Sequence, residues 1–155
     1  MAKDIKARVK DVLERYKKGE RNFEDKYLSG ANFKGAKLRG IDFDGAMLSR
    51  ANFSGADLRG ATFRDAHLMY ADFSNANLEG ADLSGAHLER ANFEDANLNG
   101  ADFDDAIVEH ANFTNASLRK VMFGADLVET ANYTGADFTD AVFIPNGVLK
   151  KLKGE

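Results

Sequence analysis

The chain has 155 residues, 44% of them hydrophobic, and a formal net charge of −4, the size and apolar content of one ordinary domain. It contains no cysteine, which excludes a disulfide framework, a thiol nucleophile and a thiolate metal site. The opening, MAKDIKARVKDVLERYKKGE, holds no apolar run long enough for a signal peptide or membrane span, so a cytoplasmic protein without membrane contact is expected, and Asn-x-Ser/Thr triplets such as those at Asn52, Asn112 and Asn132 carry no glycosylation signal.

Residues 1–20 read as an N-terminal capping helix, helical over 4–18. Ile5, Val9, Val12, Leu13 and Tyr16 share one face, Asp4 is placed to cap the start and Gly19 to end it. The basic residues Lys3, Lys6, Arg8, Lys10, Arg15, Lys17 and Lys18 form its solvated outer face, so direct nucleic-acid binding is not expected.

From Arg21 to Pro145 the chain divides into 25 pentads. The central residue is Leu or Phe in 22 of them, and the residue two before it is Ala in 20, a strictness that makes the repeat the governing feature. A helix does not fit, because five residues at about 100° each spread the apolar positions around the whole cylinder. A flat strand does not fit either, because an odd repeat sends successive central residues to opposite faces. A chain that turns a corner every pentad does fit, and four corners close a square coil of twenty residues. Gly, Asn or Asp at the last pentad position supplies the turn conformations.

Residues twenty apart provide an independent check. Positions 23, 43, 63, 83, 103, 123 and 143 are Phe except for Leu83, and 33, 53, 73, 93, 113 and 133 are five Phe and a Tyr. The columns starting at 28 and 38 are Leu apart from Val108, Val128 and Phe138. Two opposite sides of the coil therefore carry rings and the other two carry branched side chains. About six coils are expected over 21–145, forming an all-β solenoid with parallel ladders. Strict phase would turn Asp126 inward, so a bulge or loop is expected at 124–130, with phase restored by Ala131 and Tyr133. Residues 146–155 are expected to cap the last coil through Val148, Leu149 and Leu152; a dimer patch there is the rival, and a monomer is preferred.

These pentads resemble those of the pentapeptide-repeat proteins, and LERYKKGERNF resembles the entry into the first coil in short members from photosynthetic bacteria. The resemblance implies a right-handed quadrilateral β-helix. It transfers no catalytic residue, because the motif is a packing motif.

The outward positions are the residue before each centre and the two after it. The face over Phe23 is an acidic stripe with Asp42, Asp44, Asp82, Asp102, Asp104 and Asp105, joined by Glu24, Asp25 and Asp65. Residues 71–140 hold 14 acidic against 3 basic side chains, whereas 21–70 hold 6 against 8. The face over Phe33 carries Asn32, Asn52, Asp72, Asn92, Asn112 and Asn132, expected to bond to one another and to the turns. The face over Leu28 differs from both: Met47, His67, His87 and Ile107 form one column, Arg50, Tyr70, Arg90 and His110 a second, and Met69 stands in a third.

No nucleotide loop, hydrolase elbow or zinc spacing is present. DFDG at 42–45 lacks the rest of a calcium loop, and His67 and His87 lack a third ligand. No enzyme activity, cofactor or metal is expected. The expected function is a protein-binding scaffold that presents the strip of Met47, Arg50, His67, Met69, Tyr70, His87, Arg90, Ile107 and His110 to an unidentified protein partner. The alternative follows from the branch of the family linked to fluoroquinolone resistance: a mimic of duplex DNA that binds gyrase, or another DNA-binding protein, through the acidic face.

Overall fold

A computed structural model describes residues 2–124 and 130–142; most of the expected break and the whole C-terminal cap, with Leu127, lie outside them. Helix α1 spans Ala2–Lys17, starting two residues before the capping pattern suggests. Asp4 is therefore not the N-cap. It sits in the first turn, where a carboxylate suits the helix dipole, and pairs with Arg8 at 2.8 Å. Val9 and Val12 are buried, with Ile5, Leu13 and Tyr16 packed beside them, so the expected apolar face does cover the first coil. The Tyr16 hydroxyl pins the helix by donating to the Arg39 carbonyl at 2.8 Å. On the outer face, Arg8, Lys10 and Arg15 each pair with an acidic residue one turn away.

Beyond the helix, residues twenty apart pair as parallel neighbours in four columns. Asn22 leads one column, Tyr27, Asn32 and Lys37 the others, for example Asn22 to Asp42 and Tyr27 to Met47. Among the described residues, pairing extends over two residues only between β1 (Asp102–Phe103) and β2 (Met122–Phe123); at the other described bridges the chain turns after one paired residue. These columns define the four faces of a parallel β-helix.

The pentad around Phe53 shows why the repeat has its composition. The Asn52 N–H donates to Ala31 of the preceding coil at 2.8 Å, Phe53 and Gly55 donate to Asp72 and Ser74 of the next coil, and the Ala56 N–H closes the turn onto the Phe53 carbonyl at 3.0 Å. The N–H of Ser54 remains, and the Asn52 side chain accepts it at 2.9 Å. Asn or Asp before the centre is thus the acceptor for the one backbone donor that the coil leaves over. Among the described residues, fourteen pentads make this bond. The expected asparagine ladder is therefore mainly turn chemistry, with one amide pair between coils, Asn112 donating to Asn92 at 3.1 Å.

Inside, the Ala, Leu and Phe positions are buried, apart from the partly buried Ala36, Ala106, Ala136, Phe138 and Ala141, and no buried polar or charged residue occurs among the described residues. Phe53, Phe73, Phe93 and Phe113 stack with centroids 4.9–5.1 Å apart and planes within 4°. Rings of the opposite column meet them edge-on, as Phe63 does Phe73 at 83°, the geometry that ring quadrupoles favour. Phase is restored after the break, since Ala131 and Tyr133 are buried and Tyr133 stacks on Phe113 at 5.2 Å.

Candidate functional site

A solid core directs attention to the faces. On the acidic face, Asp42, Asp82 and Asp102 each commit an oxygen to their own turn, accepting from the N–H groups of Asp44, Ser84 and Asp104. Arg64, which the count of acids along this face passes over, lies among them. Its Nε donates to Asp44 at 2.7 Å and stands 3.9 Å from Asp82, and the bond to Asp44 holds the guanidinium still more firmly cationic. The stripe is therefore interrupted at Arg64. Of the six acidic-face candidates, only Asp104 and Asp105 are exposed; the other four are half-buried.

The strip over Leu28 is built differently. Its column before the centre reads Tyr27, Met47, His67, His87 and Ile107, paired coil to coil, with no Asn or Asp in it. This face alone lacks the turn-capping acceptor throughout its described length. Its turn positions depart as well. Gly30 has φ 73° in the left-handed region, and the same conformation is held by Arg50 at 61°, Tyr70 at 60°, Arg90 at 60° and His110 at 57°. Elsewhere, apart from Lys120, the described residues with this conformation are Gly, Asn or Asp, which tolerate it best. A bulky side chain there costs about 1 kcal/mol, so the strip accumulates strain that glycine would relieve.

These side chains come together as the column alignment requires. The Arg50 guanidinium lies 4.4 Å from the Tyr70 ring centroid and that of Arg90 lies 6.0 Å away, one from the coil on either side. His67 and His87 stack at 5.0 Å with planes 11° apart. Glu89 turns toward His87, with Oε1 3.6 Å from Nδ1, and its other oxygen is buried without a partner among the described residues. No group of three or more potential metal ligands occurs among the described residues.

Tyr27, one coil before Met47 and paired with it, extends this strip beyond the residues expected for it. It is 68% exposed, and with Met69, Tyr70 and Ile107 it places on one face four of the six large hydrophobic residues that are exposed among the described residues. Its column position, twenty before Met47, was the available signal. Beside it an open groove of about 660 Å³ runs between α1 and the first coil, lined by Arg8, Val12, Tyr27 and Leu28 among others.

Fold and surface together define a β-helical solenoid with a buried apolar core and one strained face that carries exposed apolar and arginine side chains. The chain belongs to the pentapeptide repeats family, which matches residues 27–65, 71–109 and 96–130 in 8 copies and is known for right-handed quadrilateral β-helices. Among solved structures, a pentapeptide repeat protein from the thylakoid lumen of Arabidopsis thaliana is 41% identical, with 66% of this chain and 70% of that one covered and a TM-score of 0.62. QnrB1, a plasmid-mediated fluoroquinolone resistance protein, is 25% identical over 75% of this chain and 65% of that one, with a TM-score of 0.51. A pentapeptide repeat protein from Nostoc is 30% identical over 84% of this chain and 94% of that one, with a TM-score of 0.44. No curated protein matches. Among the described residues no helix is long and apolar enough to cross a membrane.

Proposed function

We propose that the chain is a non-enzymatic protein-binding scaffold, a right-handed rod of about six coils capped by residues 1–20 and 146–155, which engages another protein through the strip from Tyr27 to His110. One observation carries this reading: the strip lacks the turn-capping Asn or Asp and places Arg, Tyr and His where the backbone favours glycine. Backbone strain retained at a surface is a mark of function rather than folding, and exposed Tyr, Met and Arg are the residues that anchor protein interfaces. Pull-down from the source cell with wild type, Met69→Glu and Tyr70→Glu tests it. Loss of partner recovery in both variants is expected, and equal recovery would sink the proposal.

A second reading is inhibition of a DNA-binding enzyme through the acidic face, favoured by the similarity to QnrB1 and by Asp102, Asp104 and Asp105 in adjacent positions. The Arg64 interruption confines it to the C-terminal half of the rod. Unchanged gyrase supercoiling at micromolar protein would remove it. The scaffold is proposed to be monomeric and cytosolic; sedimentation tests the first, and cell fractionation the second, with recovery in a lumenal fraction replacing it.

A further inference from the structure

Arg50 and Arg90 are set apart from the other arginines of the rod. Arg39 and Arg59 bond to Asp57, Arg64 bonds to Asp44, Arg119 approaches Asp137 at 3.9 Å and Arg21 donates to the Tyr16 and Glu20 carbonyls. Beyond the backbone bonds of their own turns, neither the Arg50 nor the Arg90 guanidinium makes an ion pair or hydrogen bond among the described residues; each meets only the Tyr70 ring. Stacking occupies the flat face of a guanidinium and leaves its in-plane N–H edge free, the edge that binds a carboxylate in bidentate fashion. The two acidic residues nearest Arg90 on this face, Glu89, drawn toward His87 with one oxygen buried, and the exposed Glu109 of the next coil, form no ion pair with it among the described residues.

Spacing limits what can use both edges. Arg50 and Arg90 stand two ladder steps apart along the rod, about 9.6 Å. A β-strand puts every third residue on the opposite side, whereas polyproline II returns every third residue to the same side after about 9.3 Å. The apolar side chains Tyr27 and Met69 line the same path, and Tyr27 borders the open groove beside α1. Charge along the rod adds a direction, since residues 21–70 carry a balance of +2 (8 basic, 6 acidic) and residues 71–140 one of −11 (3 basic, 14 acidic).

We infer that the strip receives an acidic, proline-containing segment of its partner, laid along the rod in the polyproline II conformation, with carboxylates three residues apart on Arg50 and Arg90 and apolar residues on Met69 and Tyr27. This rests on the scaffold reading proposed above and names the chemistry of its partner.

The test is fluorescence anisotropy of the full chain with a fluorescein-labelled peptide of repeated Glu-Pro-Leu, about twelve residues and thus roughly 40 Å long when extended, and with its Gln-Pro-Leu counterpart. Wild type is expected to bind the glutamate peptide about tenfold or more tighter than the glutamine peptide, as charge-assisted bonds require, and added salt should erode the difference. Arg50→Gly/Arg90→Gly, whose glycines suit the left-handed turns as Gly30 does, should fold and lose the preference. Equal binding of the two peptides by wild type, or a preference that survives in the double variant, overturns the inference. The scaffold reading fails separately, when Met69→Glu and Tyr70→Glu recover as much cellular partner as wild type. If those variants lose the partner while Arg50→Gly/Arg90→Gly keeps it, the acidic segment is wrong and the scaffold stands.

Discussion

Arg50 holds its guanidinium 4.4 Å from the ring of Tyr70 in the next coil, and both residues have left-handed backbones, at φ 61° and 60°. The contact and the strain oppose each other. A cation–π contact at an exposed site contributes about 0.5–1 kcal/mol, and a non-glycine residue in the left-handed region costs about as much. Tyr70→Gly is therefore expected to change the free energy of urea unfolding by less than about 1 kcal/mol while abolishing partner recovery. A loss of more than about 2 kcal/mol would make the stack a structural device instead.

Tyr133 offers a gain in stability. Its ring continues the phenylalanine stack 5.2 Å from Phe113, yet its hydroxyl is buried without a partner among the described residues, and burial pushes the phenol well above its ordinary pKa. Tyr133→Phe keeps the stack and removes the stranded hydroxyl, so the chain should be stabilised by about 1 kcal/mol. Thermal unfolding checks this, and a lowered midpoint would show that the hydroxyl has a partner.

Turn glycines are not equivalent. A Cβ on Gly45 would run into Asp25 Oδ1 in the preceding coil, whereas at Gly55 nothing lies within 4 Å; both are left-handed, at 64° and 65°. Gly55→Ala should cost about 1 kcal/mol, the backbone term alone. Gly45→Ala should cost only about 0.5 kcal/mol more, because the exposed Asp25 carboxylate can turn aside. An excess well above about 1 kcal/mol for Gly45→Ala, read by urea unfolding, would show instead that the Asp25 side chain is held in place.

Acid sensitivity follows from two carboxyls. Arg15 holds Glu20 below its ordinary range, chiefly by a side-chain hydrogen bond, and the hydroxyl and backbone N–H of Thr139 do the same for Asp137. Both bind protons more weakly folded than unfolded. The stability they contribute is therefore present above the ordinary carboxylate range and is lost as pH falls through the lowered folded values. Melting of wild type and Glu20→Gln should differ near neutrality and converge below about pH 4; a constant difference at all pH values would contradict the linkage.

The fold was open to sequence reasoning because one side-chain rule repeats without compensation. Ala71 and Phe73 are buried where the pentad puts them, and the column arithmetic pairs His67 with His87 in a stack. What escaped is local geometry that residue types do not encode. Asp4 reads as a cap, but α1 begins earlier and turns it into a partner for Arg8. Arg64 disappears in a count of acids, although its bond to Asp44 divides the face. The strain at Arg50, Tyr70, Arg90 and His110 emerges only when the turn column is aligned with Gly30, where the sign of φ is visible.

The twenty-residue pairing of Asn52 with Asp72, and of Asp72 with Asn92, makes the length of this molecule a quantised property. Removing residues 71–90 would rejoin Phe-centred and Leu-centred pentads to their own kinds and shorten the rod by about 4.8 Å, bringing His110 beneath Tyr70. Duplicating a coil would move them apart by the same unit. The spacing of surface groups can thus be reset by whole-coil gain or loss without redesigning the interior, so the rod is a ruler whose graduations can evolve independently of its material.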